Sequence, residues 1–150
     1  MSGASNLVRD VMTKEVVTIE SNVPLLDAAL MLRSSAIRHL LVMQANKLVG
    51  VLSDRDVQRC APSRLIPITE EGYNAVFAQT SVDKIMTRAP ETVSPGTPLV
   101  EAVALMQQSR FGCLPVLEGD AIVGILTRGD LMEALHRILS GKPLSKVSET

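Results

Sequence analysis

The sequence predicts an α/β (α+β) fold made of two copies of one β-α-β-β-α unit, related by an approximate twofold axis. Residues 8–61 and 82–135 align without a gap at a constant offset of 74, and 14 of the 54 aligned pairs are identical. Apolar runs and turns follow one another in the same order in both copies. Because shared spacing gives a shared substructure, we expect two like halves that face each other across a cleft.

Each copy begins with a short strand and a helix. Residues 16–19 are a β-branched run, and residues 24–33 are apolar helix formers that start with a proline, which suits the first turn of a helix. Residues 92–93 and 98–107 repeat this order. Both helices are apolar around much of their circumference. We therefore expect each to be covered on two sides, by its own sheet and by the sister repeat or a second subunit.

The next feature of each copy is a pair of apolar runs separated by a polar turn, which predicts a hairpin of adjacent strands. The paired runs are 39–43 with 48–52 and 113–117 with 122–126. A last helix follows each hairpin, from Ser53 in the first copy and from Thr127 in the second.

The final helix carries an apolar stripe. Leu131, Leu135, Ile138 and Leu139 fall at i, i+4, i+7 and i+8, so one helical face can dock on a sheet or a partner. The glycine at 141 ends the helix in this prediction. The chain is thus divided into repeat 1 at 8–61, a linker at 62–81 with a short helix near 74–79, repeat 2 at 82–140 and a flexible tail at 141–150.

Composition excludes several classes of function. The chain has 15 basic and 16 acidic residues, a net charge of -1 and no basic block, so it offers no broad field for a nucleic-acid backbone. Tyr73, Phe77 and Phe111 are its only aromatic residues, too few for base stacking. We expect no nucleic-acid partner.

The apolar runs and the cysteines also restrict the protein. No run approaches the roughly 18 residues that a membrane-spanning helix needs, and no signal-peptide pattern opens the sequence, so we expect a cytoplasmic protein without membrane attachment. Cys60 and Cys113 stand alone, without metal-ligand spacing to a histidine. Two reduced thiols are expected, with neither a disulfide nor a metal site.

One seven-residue pattern joins the last strand to the last helix in both copies. It reads Gly, two apolar residues, Ser or Thr, two variable residues and Asp, at residues 50–56 and 124–130. A strand that enters a helix leaves backbone N–H groups unpaired, which suits a polar or anionic ligand. An ionised Asp can accept two hydrogen bonds from the hydroxyls of a ribose, and the Gly allows a flat ring or a backbone to approach closely.

The same pattern also predicts a purely structural role. Ser or Thr followed three residues later by an acid forms a capping box, in which both side chains satisfy N–H groups of the helix itself. For one isolated copy the cap is the favoured interpretation. The repeated Gly and the symmetry of the two motifs add the prediction of a binding site. Cap and site can coexist because a helix end has more donors than one side chain fills.

These residues resemble a tandem pair of cystathionine beta-synthase (CBS) domains, often called a Bateman module, over residues 8–139. The resemblance lies in the Met-Thr openings at 10–13 and 84–87, in strands 38–42 and 113–116, and in the two glycine-to-aspartate motifs. The run from Ser53 to Asp56, the short format and the linker are most similar to the small stand-alone acetoin utilisation protein B group.

The resemblance implies an adenosine-containing ligand, AMP, ADP, ATP or S-adenosylmethionine, in the cleft between the repeats. From the residues themselves we expect no catalytic residue, cofactor or metal. The resemblance also implies that the motif carboxylates hold the ribose with help from the motif hydroxyls: Asp56, Asp130, Ser53 and Thr127. It further implies an adenine lined by Thr13, Val17, Ile37, Thr87 and Phe111.

The two half-sites differ in charge. The Arg-His pair at 38–39 is matched by Gly-Cys at 112–113, so the second copy lacks a cation there. We expect one nucleotide site to predominate, with Arg38 on the phosphate, as the resemblance implies, assisted by Arg55 or Arg128. The alternative for Arg55 and Arg128 is that both are solvated residues of a first helical turn.

These features favour a regulatory binding module that senses an adenine nucleotide. An enzyme is disfavoured because the sequence has no P-loop, no Gly-x-Ser-x-Gly elbow, no His-Glu-x-x-His pair and only two dispersed histidines. The alternative is a non-catalytic dimerisation or interaction scaffold with no bound nucleotide. We expect a homodimer and, for the sensor, a regulated protein partner.

Overall fold

A computed structural model describes residues 6–35, 37–60, 69–109 and 111–145. The helices are α1 (Val8–Val11), α2 (Leu25–Ser35), α3 (Asp54–Cys60), α4 (Glu70–Gln79), α5 (Leu99–Ser109) and α6 (Arg128–Leu139). The strands are β1 (Thr18–Glu20), β2 (His39–Gln44), β3 (Lys47–Ser53), β4 (Thr87–Arg88), β5 (Cys113–Glu118) and β6 (Ala121–Thr127). The predicted α/β class is confirmed.

The predicted linker and tail fall partly outside the described residues. Within the linker, α4 includes the short helix expected near 74–79 and begins four residues earlier, after a Thr69 side chain that accepts a hydrogen bond from the Gly72 N–H. A 3-10 turn, Val82–Lys84, follows it. Residue 61 at the end of repeat 1, residues 62–68 of the linker and residues 146–150 of the tail lie outside the description.

The chain forms two compact units that are divided differently from the two sequence repeats. Unit 1 combines Met1–Val16 with Glu91–Thr150, and unit 2 is Val17–Pro90. The opening of the first repeat therefore folds with most of the second repeat. The opening of the second repeat, before Glu91, folds with the first.

Unit 2 contains a four-stranded sheet in the order β1-β2-β3-β4. Strand β1 runs parallel to β2, and the other neighbours are antiparallel. The β2–β3 turn places Ala45 at φ 51° and Asn46 at φ 63°. Two positive φ values in succession match the twist of a two-residue hairpin, so the predicted hairpin forms.

Unit 1 repeats this sheet with shorter edges. Strands β5 and β6 form the antiparallel pair, Val93 bridges Val116 in parallel, and Thr13 bridges Ile125. Each of these pairings has a counterpart in unit 2 at the offset of 74. The Thr13–Ile125 bridge corresponds to the pairing of Thr87 with Val51, so the edge residue of each sheet comes from the other sequence copy. In the β5–β6 turn Gly119 has φ 64°, the conformation that a glycine adopts most readily.

Each unit has its own apolar core, and one helix covers it with a repeated stripe. In α2 the buried residues are Leu25, Ala28 and Leu32. The stripe recurs in α5 at the positions 74 residues later, Leu99, Ala102 and Met106. The expected second cover is incomplete within the chain, because Leu30 of α2 is 54% exposed and Val100 of α5 is 75% exposed.

Three further findings concern the classes that composition disfavoured. Among the described residues, no helix has the length and apolar character needed to cross a membrane. Over the same residues, no group of His, Cys, Asp and Glu side chains has the arrangement of a metal site. Cys60 is half-buried, Cys113 is buried, and both are reduced.

Candidate functional site

The glycine that begins each motif is covered by a Met-Thr segment from the other sequence copy. A Cβ added to Gly50 would lie 2.5 Å from Met86 Sδ and 2.8 Å from the Thr87 carbonyl oxygen. The same approach recurs at Gly124, where the covering segment is residues 12–13. The motif predicted that either a flat ring or a backbone approaches the glycine. The structure shows that a backbone does. Each glycine therefore allows the Met-Thr segment to pack closely against the strand within its unit.

The first motif forms the predicted capping box at the start of α3. The Ser53 N–H donates to Asp56 Oδ2 at 2.9 Å, and the Asp56 N–H donates to Ser53 Oγ at 3.1 Å. Both side chains are half-buried. Only one oxygen of Asp56 is used by the cap, and within the described part of the chain no hydrogen bond reaches Oδ1.

The second motif forms the same box at the start of α6 with one addition. The Thr127 N–H donates to Asp130 Oδ2 at 2.9 Å, and the Asp130 N–H donates to Thr127 Oγ1 at 3.1 Å. The Thr13 hydroxyl donates to the other oxygen, Oδ1, at 2.7 Å. Asp130 is 6% exposed, so both of its oxygens are engaged in a buried position.

The two motif aspartates are therefore not equivalent. Thr87 covers the glycine of the first motif as Thr13 covers the glycine of the second. Among the described residues, however, the Thr87 hydroxyl forms no hydrogen bond to Asp56. Thr13, which the resemblance placed beside the adenine, instead belongs to unit 1 and anchors Asp130. Of the two carboxylates, Asp56 is the one with an acceptor to offer.

A cavity lies beside Asp56 within unit 2. Its volume is about 250 Å³, and it is lined by Asp56, Arg59, Cys60, Lys84 and Ile85. The first three come from α3, and the last two come from the end of the 3-10 turn and the residue after it. The cavity thus combines one carboxylate, two cations, a thiol and an apolar wall.

The three arginines expected at the phosphate are all on the surface. Arg38, Arg55 and Arg128 are exposed, and over the residues described here their guanidinium groups form no hydrogen bond or ion pair. None of them lines the Asp56 cavity. Their assignment to a phosphate stays a prediction.

The remaining residues expected around the adenine have mixed surroundings. Val17 and Ile37 are half-buried and pack against the core of unit 2, so each already has a structural role. Thr87 contributes its backbone to β4, and its side chain is half-buried. Phe111 is half-buried in unit 1. An adenine position for these residues stays a prediction.

Sequence reasoning missed Arg59 and Lys84. Both are exposed charges at the ends of short helical segments, which are usually solvated and carry no motif. A signal was available in the repeat itself. At the offset of 74, Arg59 of the first copy is matched by Glu133 of the second, and Lys84 of the second copy is matched by Asp10 of the first, so the charge reverses within both aligned pairs.

Comparison with known proteins identifies the class. The CBS domain family model matches residues 8–62 and 82–137, and the chain belongs to this family as a tandem CBS pair. The resemblance read from the sequence is confirmed.

Two similar proteins match this chain over nearly their whole length. A CBS domain-containing protein of Dictyostelium discoideum is 32% identical over 139 residues, covering 91% of this chain and 96% of that protein. A crystal structure from Vibrio cholerae, assigned to an acetoin utilization protein, has a TM-score of 0.72 and 30% identity, covering 91% of this chain and 95% of that one.

A third similar structure shares the fold. The CBS domain pair of protein MJ0100 has a TM-score of 0.71 and 24% identity, covering 92% of this chain and 98% of that chain. It was solved in complex with 5'-methylthioadenosine and S-adenosyl-L-methionine.

Proposed function

We propose that this CBS pair is a regulatory module that binds an adenosine-containing nucleotide, with the ribose on Asp56. The observation that carries the proposal is the state of that carboxylate. Asp56 Oδ2 is held by the Ser53 N–H, which fixes the side chain, while Oδ1 has no donor within the described residues and the residue lines a cavity. A fixed carboxylate with an open acceptor can receive a sugar hydroxyl without reorganising.

The equivalent position in unit 1 is a poorer receptor. Asp130 already accepts from the Thr127 N–H and the Thr13 hydroxyl and is 6% exposed. A ribose there would have to displace Thr13 or share its acceptor. The proposal therefore assigns the ribose to Asp56, in agreement with the expectation that one half-site predominates.

The fold is compatible with this class of ligand. In the MJ0100 pair the same fold was solved with two adenosine-containing molecules, which supports the class and not the particular nucleotide. We assign regulation and not catalysis to the site. A bound nucleotide would shift the chain between two arrangements by its differential affinity for them, and this needs no nucleophile.

A thermal-shift panel with AMP, ADP, ATP, S-adenosylmethionine, NAD and GTP tests the proposal. At 100 times its dissociation constant a ligand adds about 2.7 kcal/mol of stability. For a chain of 150 residues this raises Tm by about 5 to 10 °C. If none of the six compounds raises Tm, the nucleotide proposal is wrong.

The matched variants are Asp56→Asn and Asp54→Asn. An asparagine at 56 keeps an oxygen for the Ser53 N–H and so keeps the cap, but it loses the charged acceptor for the ribose. We expect affinity to fall about 10- to 100-fold, the scale of a charge-assisted hydrogen bond. Asp54 is exposed, and within the described residues its side chain bonds only to Gln58, so Asp54→Asn should leave affinity unchanged. Equal effects of the two variants would count against a ribose at Asp56.

An exposed apolar face on α6 favours a second role, assembly of a homodimer. Met132 is 66% exposed, Leu135 48%, Ile138 50% and Leu139 78%, all within one 120° sector of the helix. Leu131, the other member of the predicted stripe, is half-buried. A self-complementary apolar face is the kind of surface that a twofold dimer joins.

The mass of the protein in solution tests this role. In sedimentation or light-scattering measurements we expect a dimer that Leu139→Glu converts to a monomer, because a charge would be buried in the interface. Ala121→Glu, at the exposed first residue of β6, is the control and should leave the dimer intact. A wild-type monomer, or dissociation by the control variant instead, would contradict an α6 interface.

A further inference from the structure

The cations around the Asp56 cavity have acidic counterparts in the other unit. Arg59 lies in the last turn of α3, and Glu133 holds the equivalent place in α6. Lys84 ends the 3-10 turn, and Asp10 holds the equivalent place in α1. The aspartate of the motif is common to both units, so the local charge is +1 around Asp56 and -3 around Asp130 from these positions.

The two cations of unit 2 are available for a ligand. Arg59 and Lys84 both line the cavity, and neither forms an ion pair or a side-chain hydrogen bond within the described residues. The equivalent position of Lys84 in unit 1 holds the Asp10 carboxylate, whose Oδ2 accepts from the Leu7 N–H at 2.8 Å. Two unpaired cations that line one cavity are suited to an oxyanion.

The size of the cavity indicates which part of a ligand it would hold. Its volume of about 250 Å³ is below the roughly 300–1,000 Å³ of complete small-molecule sites. A sugar and a phosphoryl group are the fragments that its chemistry fits, with the hydroxyls on Asp56 and the oxyanion between Arg59 and Lys84. No aromatic residue lines it, so it offers no stacking surface for a base.

We infer that Arg59 and Lys84, in place of Arg38, hold the phosphate of the ligand and that each chain binds one phosphorylated nucleotide, in unit 2. The inference rests on the proposed function for the ribose at Asp56. Unit 1 cannot hold a second phosphate in the same way, since three carboxylates stand at the corresponding positions. The inference also selects among the ligand candidates, because S-adenosylmethionine has no phosphate and carries a sulfonium cation.

Isothermal titration of the full chain with AMP, adenosine, S-adenosylmethionine and inorganic phosphate tests the inference. The variants are Arg59→Gln and Lys84→Met. The matched controls remove the same charges from exposed sites of unit 2 outside the cavity, Arg33→Gln and Lys47→Met. A double variant, Arg59→Glu with Lys84→Asp, gives unit 2 the charges of unit 1.

We expect one AMP per chain and weaker binding of adenosine. Each cavity variant should weaken AMP about three- to tenfold, between the scales of an exposed ion pair and of a charge-assisted hydrogen bond. The effect should grow at low salt, where charges are less screened. Adenosine should bind the cavity variants and the controls as it binds the wild type, and S-adenosylmethionine should bind the cavity variants at least as tightly as it binds the wild type. The double variant should lose AMP and retain adenosine.

Each failure has its own signature. If AMP and adenosine bind equally and the cavity variants match the controls, the phosphate inference is wrong and the proposed function stands. Two AMP molecules per chain would refute the single site. If neither AMP nor adenosine binds, the proposed function fails with the inference. If inorganic phosphate binds, the nucleotides do not, and the cavity variants abolish phosphate binding, the cavity is an oxyanion site and the inference that its ligand is a nucleotide is wrong.

Discussion

Replacing Gly50 with alanine should destabilise the protein, because the space for a Cβ is already filled. The added carbon would lie 2.5 Å from Met86 Sδ, 2.9 Å from Met86 Cγ and 2.8 Å from the Thr87 carbonyl oxygen. Ordinary contacts between such atoms are about 3.5 to 4.0 Å. The methionine can rotate away. The carbonyl cannot move so easily, since residue 87 is paired with Val51 at the edge of the sheet.

The magnitude follows from which atoms must move. Overpacking a well-packed core costs about 1 to 3 kcal/mol, and a clash with paired backbone belongs near the upper end. We therefore expect Gly50→Ala to lower the free energy of unfolding by about 2 to 3 kcal/mol. For a chain of 150 residues this corresponds to a fall in Tm of about 4 to 12 °C.

Thermal and urea unfolding measure the change, and the chain supplies matched controls. Gly124→Ala should behave like Gly50→Ala, with Met12 Sδ at 2.8 Å and the Thr13 carbonyl oxygen at 2.9 Å from the new carbon. Gly129→Ala is the control, because its nearest neighbour is the Thr127 hydroxyl at an ordinary 3.5 Å. Alanine is favoured over glycine in a helix by about 0.5 to 1 kcal/mol, so this control should hold or raise Tm.

The comparison has a clear negative outcome. A Gly50→Ala protein whose Tm lies within 1 °C or so of the Gly129→Ala control would refute the close approach as the reason for glycine. A tolerated Gly124→Ala would refute the same reason at Gly124. If Gly50→Ala behaves like the control, the close contact between the Met-Thr segment and the strand does not depend on the missing side chain of glycine.

Two further substitutions examine the motif residues. Thr13→Val should lower the free energy of unfolding by about 1.5 to 3 kcal/mol, because the buried Asp130 carboxylate loses a hydrogen bond; Thr87→Val, whose hydroxyl forms no such bond, should cost less, and equal losses in urea unfolding would contradict this. Ser53→Ala should cost about 1 kcal/mol by removing the acceptor for the Asp56 N–H; an unchanged Tm would show that the cap contributes nothing.

Local patterns predicted the elements of the fold well. The hairpins and the helices after Pro24 and Pro98 form where the sequence places them, because side-chain periodicity and turn residues act over a few positions. The capping boxes at Ser53 and Thr127 also form, since hydroxyl and acid are three residues apart. The first strand, predicted at residues 16–19, is observed as β1 at Thr18–Glu20, because its parallel pairing with β2 begins at Thr18, opposite Leu41.

The candidate site was predicted less completely. The two aspartates were found from the repeat, but the difference between them depends on Thr13, which is 117 residues away from Asp130. Arg59 and Lys84 were missed because no local pattern brings a helix end and a 3-10 turn to one cavity. Contacts of this kind are decided by packing over long separations in the chain.

The sequence by itself determined that this protein is built from a duplicated unit, which strands and helices the unit contains, and that an acid caps each final helix. Only the tertiary structure decided which Met-Thr segment covers which glycine. The physical reason is that both segments have the same two residues and both strands have the same glycine, so either pairing satisfies the local chemistry. Packing of the whole chain places residues 86–87 on Gly50 and residues 12–13 on Gly124. It thereby brings the Thr13 hydroxyl to Asp130 and leaves Asp56 with an oxygen that accepts no hydrogen bond within the described residues.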